Sequence, residues 1–388
     1  MANVVSICLL FWAFLPLWNV SSRLTVVANA VPKAAKPGPQ SQLPKSEHWA
    51  PVWADHLAGY GSRPKPWIVD TDLAGPNHAW VARSGSALLR TTDGGKTWLA
   101  TGIVCDEVRF VDPRIGWVAA YRDDAIRVGR TTNGGASWTW VSSGRFSPSI
   151  LRPVSDREAW AISRTFDDAG DDAVEEADFL VHTLDGGASW SRVTAPCPVN
   201  LRGLFFLDKK HGWAIGDQGR NGVSDKLVIL RTGNGGTSFQ VAVTRPVKTG
   251  WEFPWFIKFR NPLEGWAAVG GDALLHTVDG GRSWTALKPV LAERGEVRLY
   301  DCVFPTKADG WAVGWVDVDV KHSIPLALQT RDGGKTWRRS WSRARGTYGG
   351  VRQALFADKT HGLLTGFVYS ERAGHSQDPI ALILRYKP

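Results

Sequence analysis

One eight-residue segment occurs six times in this chain and constrains its fold more than any other feature. The segment is T-x-[DN]-G-G-x-[ST]-[WF], and its third residue is Asp93, Asn133, Asp185, Asn234, Asp279 and Asp332 in turn. Successive copies are 40, 52, 49, 45 and 53 residues apart. Repeats with a period of roughly 20–50 residues are typical of propellers and solenoids. We therefore expect an array of similar structural units.

The chemistry of the segment predicts a tight hairpin turn. The Asp or Asn side chain can accept hydrogen bonds from backbone N–H groups farther along, and the Gly-Gly pair supplies positive φ. The final aromatic residue can pack back over the turn. We call the six segments the box turns. They resemble the Asp-box, or BNR, repeat of sialidases and related propellers, which implies that their Asp and Asn residues are structural and lie away from the ligand face.

A second motif alternates with the box turns and gives the number of units. It is a Gly-Trp or Ala-Trp pair before small apolar residues, with Gly-Leu in the last copy. The copies begin at Ala79, Gly116, Ala159, Gly212, Gly265, Gly310 and Gly362. Each unit then has four short strands with the box turn between the third and fourth, as in a propeller blade. We predict an all-β fold, a seven-bladed β-propeller of four-stranded antiparallel blades, over residues 46–388.

The seventh unit has no box turn, so its fourth strand must come from elsewhere in the chain. Residues 381–386 have the pattern of a third strand, and residues 49–53 resemble the strands that follow the other box turns. We expect this N-terminal strand to join the last blade and close the ring, which removes two open sheet edges.

The first 45 residues predict export. Residues 4–20 are almost wholly apolar, and an Ala-Asn-Ala triplet ends at residue 30, which together indicate a signal peptide over residues 1–30. Residues 31–45, rich in Pro, Ala and Lys, form a linker. Because no Lys or Arg precedes the apolar stretch, an uncleaved membrane anchor is the alternative. Both interpretations place the domain in the periplasm or the extracellular space.

The charge of the chain favours an anionic partner. Lys and Arg number 46 against 37 Asp and Glu, a net charge of +9. An exported chain with no recognition helix argues against nucleic acid. We expect a basic residue at or near the start of the first strand of each blade, beginning with Lys65 in the first, and the arginines of segment 338–345, to form an electropositive mouth on the long-loop face; scattered solvated charge is the alternative. The predicted partner-binding residues are Arg109, Arg152, Arg202, Lys258, Arg298, Arg352, Arg338, Arg339, Arg343 and Arg345.

Three other groups of residues have weaker functional interpretations. Segment 167–178 carries seven carboxylates, which could hold calcium or stay solvated. The aromatic run 251–256, with Trp315, Trp341 and Tyr348, could stack on sugars, grip a peptide or cap the blade cores. The cysteines of the predicted mature chain fit no metal motif and are expected to be buried or half-buried; they are Cys105, Cys197 and Cys302. We predict no metal and no cofactor.

The motifs of common hydrolases and nucleotide enzymes are absent. The chain has no G-x-S-x-G, HExxH or Walker motif. Sialidases have six blades and an Arg-Ile-Pro signature, for which Arg63-Pro64 is the nearest match here. A glycosidase with paired carboxylates needs two acids at a fixed separation, which sequence spacing in a propeller does not reveal. We therefore predict no catalytic residues, and a glycan-active propeller, hydrolase or lectin, remains the alternative.

The seven units, the export signal, the Gly-Trp-Ala-Val-Gly strands and the basic loop face together resemble the photosystem II assembly and stability factor propellers. The resemblance covers roughly residues 46–388, and its motifs mark the repeat rather than the ligand. It implies a scaffold-like or chaperone-like binder without a cofactor. We also expect the chain to be a monomer. In the photosynthetic members an arginine-rich patch is implicated in holding a client membrane protein, and only the general basicity of this chain matches that patch.

Overall fold

The computed structural model describes residues 49–56, 67–122, 125–142, 146–164, 178–220, 223–247, 254–269, 273–287, 296–317, 322–341, 347–372, 375–376 and 380–388. Within these ranges every regular element is a β-strand. The described part of the chain therefore holds no helix that could cross a membrane. The predicted signal peptide and linker lie outside the described residues.

The strands of the described residues form seven antiparallel sheets, numbered here as blades 1 to 7. The N-terminal strand is β1 (Trp49–His56). Blade 1 contains β2 (Ile68–Leu73), β3 (Ala79–Arg83), β4 (Ser86–Thr91) and β5 (Leu99–Ala100). Blade 2 contains β6 (Glu107–Phe110), β7 (Gly116–Arg122), β8 (Ala125–Thr131) and β9 (Thr139–Ser142). Blade 3 contains β10 (Ser147–Pro153), β11 (Ala159–Arg164), β12 (Phe179–Thr183) and β13 (Ser191–Val193).

The remaining blades follow the same plan. Blade 4 contains β14 (Asn200–Phe206), β15 (Gly212–Arg220), β16 (Val223–Thr232) and β17 (Gln240–Pro246). Blade 5 contains β18 (Pro254–Phe259), β19 (Gly265–Val269), β20 (Ala273–Thr277) and β21 (Thr285–Leu287). Blade 6 contains β22 (Glu296–Val303), β23 (Gly310–Asp317), β24 (Ser323–Thr330) and β25 (Arg338–Trp341). Blade 7 contains β26 (Thr347–Phe356), β27 (Gly362–Arg372), the short β28 (His375–Ser376) and β29 (Ile380–Tyr386).

The first strand of each blade lies innermost, so the blades form a ring around a central channel. Neighbouring first strands contact one another from β2 through β6, β10, β14, β18 and β22 to β26, and β26 contacts β2 again. We call these seven the inner strands. The predicted seven-bladed propeller with four-stranded antiparallel blades is confirmed.

The N-terminal strand closes the ring as the sequence predicts. β1 pairs antiparallel with β29, from Trp49 opposite Tyr386 to His56 opposite Ile380. The order across blade 7 is therefore β26-β27-β29-β1. The last blade joins residues from both ends of the propeller sequence.

Each box turn is held by one repeated set of hydrogen bonds, shown here for blade 3. Thr183 Oγ1 donates to Asp185 Oδ1 (2.9 Å) and accepts the Gly187 N–H (2.9 Å). Asp185 also accepts the Ser189 N–H at 2.9 Å and the Ser189 hydroxyl at 2.6 Å. The two glycines have φ of 81° and 88°. These Ser189 bonds lower the pKa of Asp185 to about 2. The carboxylate therefore has a structural role in the turn.

Replacement of the box-turn threonine tests this arrangement. Thr183 is 1% exposed, and Thr183→Val keeps its shape but leaves the Gly187 N–H without its acceptor. We expect the free energy of unfolding to fall by about 2 kcal/mol. Thr183→Ser retains the hydroxyl and should lose less than half as much in chemical denaturation. A larger loss in Thr183→Ser than in Thr183→Val would mean that packing of the methyl group, and not the hydroxyl, stabilises the turn.

The Trp of the second motif packs between its own blade and the next blade. Trp213 of blade 4 stacks on Phe259 of blade 5, with ring centroids 3.5 Å apart, and its Nε1 donates to the Gly280 carbonyl in the next box turn (3.0 Å). Equivalent Trp–Phe stacks join blades 1 and 2, 3 and 4, 5 and 6, and 6 and 7. The two repeated motifs are therefore two halves of one inter-blade contact.

Candidate functional site

The propeller has two chemically different faces. The box turn of each of the first six blades bonds the connection between the first two strands of its own blade, as in the Gly94 N–H to Asn77 carbonyl bond of 3.0 Å. Both kinds of turn therefore share one face, the box face. The connections between second and third strands, and from each outer strand to the next inner strand, lie on the opposite, long-loop face. Much of that loop sequence lies outside the described residues.

Three of the predicted binding residues lie nearer the box face than the sequence suggests. Arg109, Arg152 and Lys258 each pair in register with the Trp of the second strand. Each is the last residue but one of its inner strand. The prediction that these three residues lie at or near the start of their strands is wrong, because each strand begins earlier in the sequence than the apolar pattern indicates.

Arg109 and Arg152 come together around carboxylates in the wall of the channel. Arg109 pairs with Asp70 of blade 1 and, at 3.3 Å, with Glu107 of its own strand. Arg152 Nη1 lies 3.1 Å from the same Glu107. Asp70 also accepts an amide hydrogen from Gln353 of blade 7 (2.9 Å). The four blades 7, 1, 2 and 3 are thereby linked by side chains.

The same carboxylates also satisfy backbone groups of the neighbouring inner strands. Asp70 accepts the Val108 N–H at 2.9 Å, and Glu107 accepts the Leu151 N–H at 2.9 Å. These N–H groups lie on the free edge of a strand, where an unpaired buried donor is costly. The acids are therefore structural groups of the inter-blade joints.

Lys258 occupies an equivalent arrangement between blades 5 and 6. Its Nζ lies 2.6 Å from Asp301 Oδ1. Asp301 is 5% exposed and accepts the N–H groups of Cys302 (2.9 Å) and Ala354 (3.1 Å). Burial raises the pKa of the Cys302 thiol well above its usual range. Lys258 is thus part of the wall, as Arg109 and Arg152 are.

The other predicted cations have varied positions. Arg202 pairs with Asp217 at 3.1 Å and Arg298 with Asp317 at 2.6 Å, in both cases across to the second strand of the same blade. Arg352 is exposed, and its guanidinium carbon lies 5.6 Å from the ring centroid of Phe367. These three are the predicted residues that lie toward the long-loop face.

Arg338 and Arg339 were expected on a loop of that face, and this expectation is wrong. They are the first residues of β25, the outer strand of blade 6, directly after its box turn. The box turn ends at Trp337, so the strand begins on the box face. Arg343 and Arg345 lie outside the described residues.

Irregularities in the inner strands set which side chains are presented at the mouth of the channel. Six of the seven inner strands have a register shift against the second strand. Such bulges re-aim side chains out of the ladder. The extra residues are Val69, Ile150 with Leu151, Arg202, Trp255, Tyr300 and Arg352. Blades 4 to 7 thus present Arg, Trp, Tyr and Arg in that order.

The aromatic candidates divide between surface and core. Trp341 is 1% exposed and belongs to the core shared by blades 6 and 7. Trp255 is 39% exposed, and its ring centroid lies 4.7 Å from that of Tyr300 in the next blade. Tyr300 in turn stacks on Trp315 at 4.0 Å. The bulge residues therefore begin an aromatic row on the long-loop face.

The remaining candidates have simpler outcomes. Cys105 and Cys302 are buried and Cys197 is half-buried, as predicted. Of the acidic segment only Asp178 is described, and it is buried. Among the residues with described positions, no cluster of His, Cys, Asp and Glu could hold a metal ion.

Asp72 gives the channel wall a pH dependence. Burial raises the pKa of Asp72 to about 6 from 3.8, although Arg109 opposes the shift. Because the folded state holds this proton more tightly than the unfolded state, its contribution to stability is lost as pH rises from about 4 to 6. We expect Asp72→Asn to raise the free energy of unfolding by about 1 kcal/mol above pH 7 and to match the parent below pH 4. A gain that is the same at pH 4 and pH 8 in thermal melts would contradict this assignment.

Comparison with known proteins adds a limited sequence similarity. No protein-family model matches the chain. The chain is 24% identical over 166 residues to the photosystem II assembly lipoprotein Ycf48 of Synechococcus sp. (strain CC9902). The match covers 42% of this chain and 44% of that protein, so the chain matches less than half the length of this curated relative.

Solved structures share the fold over most of the chain. YCF48 bound to D1 peptide superposes with a TM-score of 0.56 at 20% identity, covering 92% of this chain and all of that one. YCF48 from Cyanidioschyzon merolae gives 0.57 at 17% identity, covering 88% of this chain and 99% of that one. The GH74 xyloglucanase from Xanthomonas campestris gives 0.53 at 14% identity, covering 86% of this chain and 55% of that one. At these identities the structures show a common propeller fold.

The sequence reasoning missed the carboxylates that hold the channel wall. Asp70, Glu107 and Asp301 occupy the same register position, opposite the second residue after the Trp of the second strand. Gln353 occupies that position in blade 7. Alignment of the seven units on their Gly-Trp motifs brings these residues into one column, and that is the signal that could have found them.

Proposed function

We propose that this chain is an exported, non-catalytic binding propeller that holds a protein client on its long-loop face, as an assembly or stability factor does. The observation that carries the proposal is that the acidic side chains of the channel wall are already bonded to other groups of the protein. The channel carboxylates Asp70, Glu107 and Asp301 are all bonded to a neighbouring N–H group and a cation. Arg352, by contrast, is exposed toward the long-loop face. Acids used in this way are poor general acids or nucleophiles, whereas exposed cations attract acidic partners.

The relatives support a client of a particular kind. One is named as a photosystem II assembly lipoprotein, and one was solved with a D1 peptide bound. We infer that the client of this chain is also a protein segment, and that it belongs to a membrane protein met after export. The predicted signal peptide and the linker at 31–45 would allow the propeller to work at a membrane surface.

Binding of a labelled D1 peptide tests the proposal. We expect binding to weaken as salt is raised, because exposed charges are screened. The variant Arg202→Glu with Arg352→Glu should weaken binding at least tenfold. The matched variant Arg331→Glu with Arg338→Glu changes the net charge equally on the box face and should stay within twofold. Equal weakening in both variants would indicate general charge attraction and contradict a site on the long-loop face.

A glycan-active propeller is the second candidate. Its support is the exposed Trp255, since aromatic side chains stack on sugar rings, together with the fold shared with a xyloglucanase. Release of reducing sugar from xyloglucan measures the activity directly. Measurable turnover would contradict the non-catalytic proposal, and retention on xyloglucan without turnover would favour a lectin.

A further inference from the structure

A groove on the long-loop face opens between blades 6 and 7. Its walls are Trp315, Ser323, Gly349, Phe367 and Tyr369, and its volume is about 80 Å³. Trp315 stands near the end of β23, Ser323 begins β24, and Gly349 lies near the start of β26. All three positions belong to the long-loop end of their strands. The groove therefore lies on the face that the proposed function uses.

Two consecutive glycines make room for the groove. Gly349 has φ of 136°, and a Cβ there would lie 2.2 Å from the Phe367 carbonyl oxygen. A Cβ on Gly350 would lie 2.8 Å from the Trp315 ring. Any larger residue would displace a wall of the groove. The groove therefore exists because two consecutive residues of β26 have no side chain.

The walls are largely aromatic, and their side chains contact neighbouring residues. Trp315 stacks on Tyr300 at 4.0 Å, and Tyr369 packs beside Tyr348 at 5.8 Å. Ser323 Oγ donates to Asp317 at 2.7 Å, and Asp317 also holds Arg298. The carboxylate at the rim is thus already bonded to two partners. The groove offers apolar contact and holds no acid positioned for chemistry.

The size of the groove selects the kind of occupant. Sites for drug-sized small molecules usually enclose roughly 300–1,000 Å³, several times the space available here. A groove of about 80 Å³ has room for one apolar side chain. This favours an anchor residue of a polypeptide over an oligosaccharide, which would have to bind ring by ring across a wider surface.

A positive charge beside the groove favours an acidic residue next to the anchor residue of the ligand. Arg352 is the bulge residue of β26, and its guanidinium carbon lies 5.6 Å from the ring centroid of Phe367, which lines the groove. It is exposed, and it makes no ion pair with any described carboxylate. A guanidinium in this position can form a charge-assisted bond with a carboxylate of a ligand whose neighbouring side chain fills the groove.

We propose that the groove of Trp315, Ser323, Gly349, Phe367 and Tyr369 binds one apolar side chain of an extended acidic protein segment, while Arg352 pairs with a carboxylate next to that side chain. The proposal rests on the proposed function and specifies the client. The anchor supplies buried apolar area and the arginine supplies orientation, the division of roles found in well-packed binding sites.

A random heptapeptide library displayed on phage, selected on the purified protein, tests this specificity. We expect enriched peptides to carry Leu, Ile, Phe or Trp within two residues of Asp or Glu. The affinity of one enriched peptide is then measured against variants. Ser323→Leu fills the groove and should weaken binding at least tenfold, whereas Ser323→Ala removes the same hydroxyl without filling and should stay within twofold. Phe367→Ala, which removes a wall, provides a second groove variant if Ser323→Leu fails to fold.

Charge variants complete the test. Arg352→Glu should weaken binding at least tenfold, and Arg338→Glu on the box face should stay within twofold. Wild-type affinity in Ser323→Leu, with weak binding in Arg352→Glu, would overturn the groove and leave the proposed function standing. Failure to enrich any peptide, with retention of the protein on xyloglucan, would overturn both. Enriched peptides without an acidic residue near the anchor would overturn the role of Arg352.

Discussion

Replacing Trp49 with Ala is expected to lower the free energy of unfolding by about 3–5 kcal/mol, the range for truncation of a large buried aromatic side chain. Trp49 is 1% exposed. Its ring contacts Phe356 with centroids 6.0 Å apart and Tyr386 at 5.1 Å, and its Nε1 donates to Ser340 of blade 6 at 2.8 Å. The variant should therefore loosen the strand that completes blade 7 and, with it, the closure of the ring.

Chemical denaturation of Trp49→Ala measures this loss, with Trp67→Ala as the matched control. Trp67 is 49% exposed just before β2, so its removal should cost less than about 1 kcal/mol. If Trp49→Ala unfolds at the same denaturant concentration as the parent, the N-terminal strand contributes little and blade 7 is stable with three strands.

Replacing Asp70 with Ala is expected to have a comparable effect through electrostatics. Asp70 is 5% exposed and bonds to Arg109, to the Val108 N–H and to Gln353. Removal of the carboxylate leaves a partly buried guanidinium without its closest ion-pair partner, with only Glu107 and Asp72 nearby, and a strand-edge N–H without an acceptor. Breaking one side of a buried ion pair costs about 3–5 kcal/mol.

A double-mutant cycle separates this explanation from simple loss of packing. Arg109→Met in the Asp70→Ala background removes the uncompensated charge, so the double variant should be more stable than Asp70→Ala alone. Equilibrium unfolding of the four proteins gives the coupling energy directly. Additive losses would show that Asp70 acts through the N–H bond and not through Arg109.

The sequence determined the architecture because its signals are local. A box turn needs a Thr, an Asp or Asn and two glycines within five residues, and the side-chain bonds of its Thr and its Asp or Asn stay inside the eight-residue segment, as at Thr183 and Asp185. Counting these turns and the Gly-Trp pairs gave the number of blades and the strand order. Even the closing strand at Trp49 follows from the missing fourth strand of the last unit.

The sequence also carries a steric rule that becomes intelligible in the structure. Gly precedes Trp or Leu in the five blades where a Phe ends the inner strand or directly follows it, since a Cβ at Gly212 would lie 2.5 Å from the Phe206 ring. Where the inner strand ends at Leu73 or Pro153, the paired residues are Ala79 and Ala159. Whether a blade has Gly-Trp or Ala-Trp therefore depends on the size of the residue that lies opposite on the inner strand.

The candidate site could not be derived in the same way, because its pairings join blades that are distant in sequence. Basic residues near the inner strands were found from the sequence, but Asp70 lies 283 residues from Gln353, with which it bonds. Only the closed ring decides that Arg109 and Lys258 are bonded within the wall while Arg352 is exposed. The bulge at Arg352 and the groove behind Gly349 depend on register between strands. Local chemistry fixed the blades, and the packing of blade against blade decided which of their charges can meet a partner.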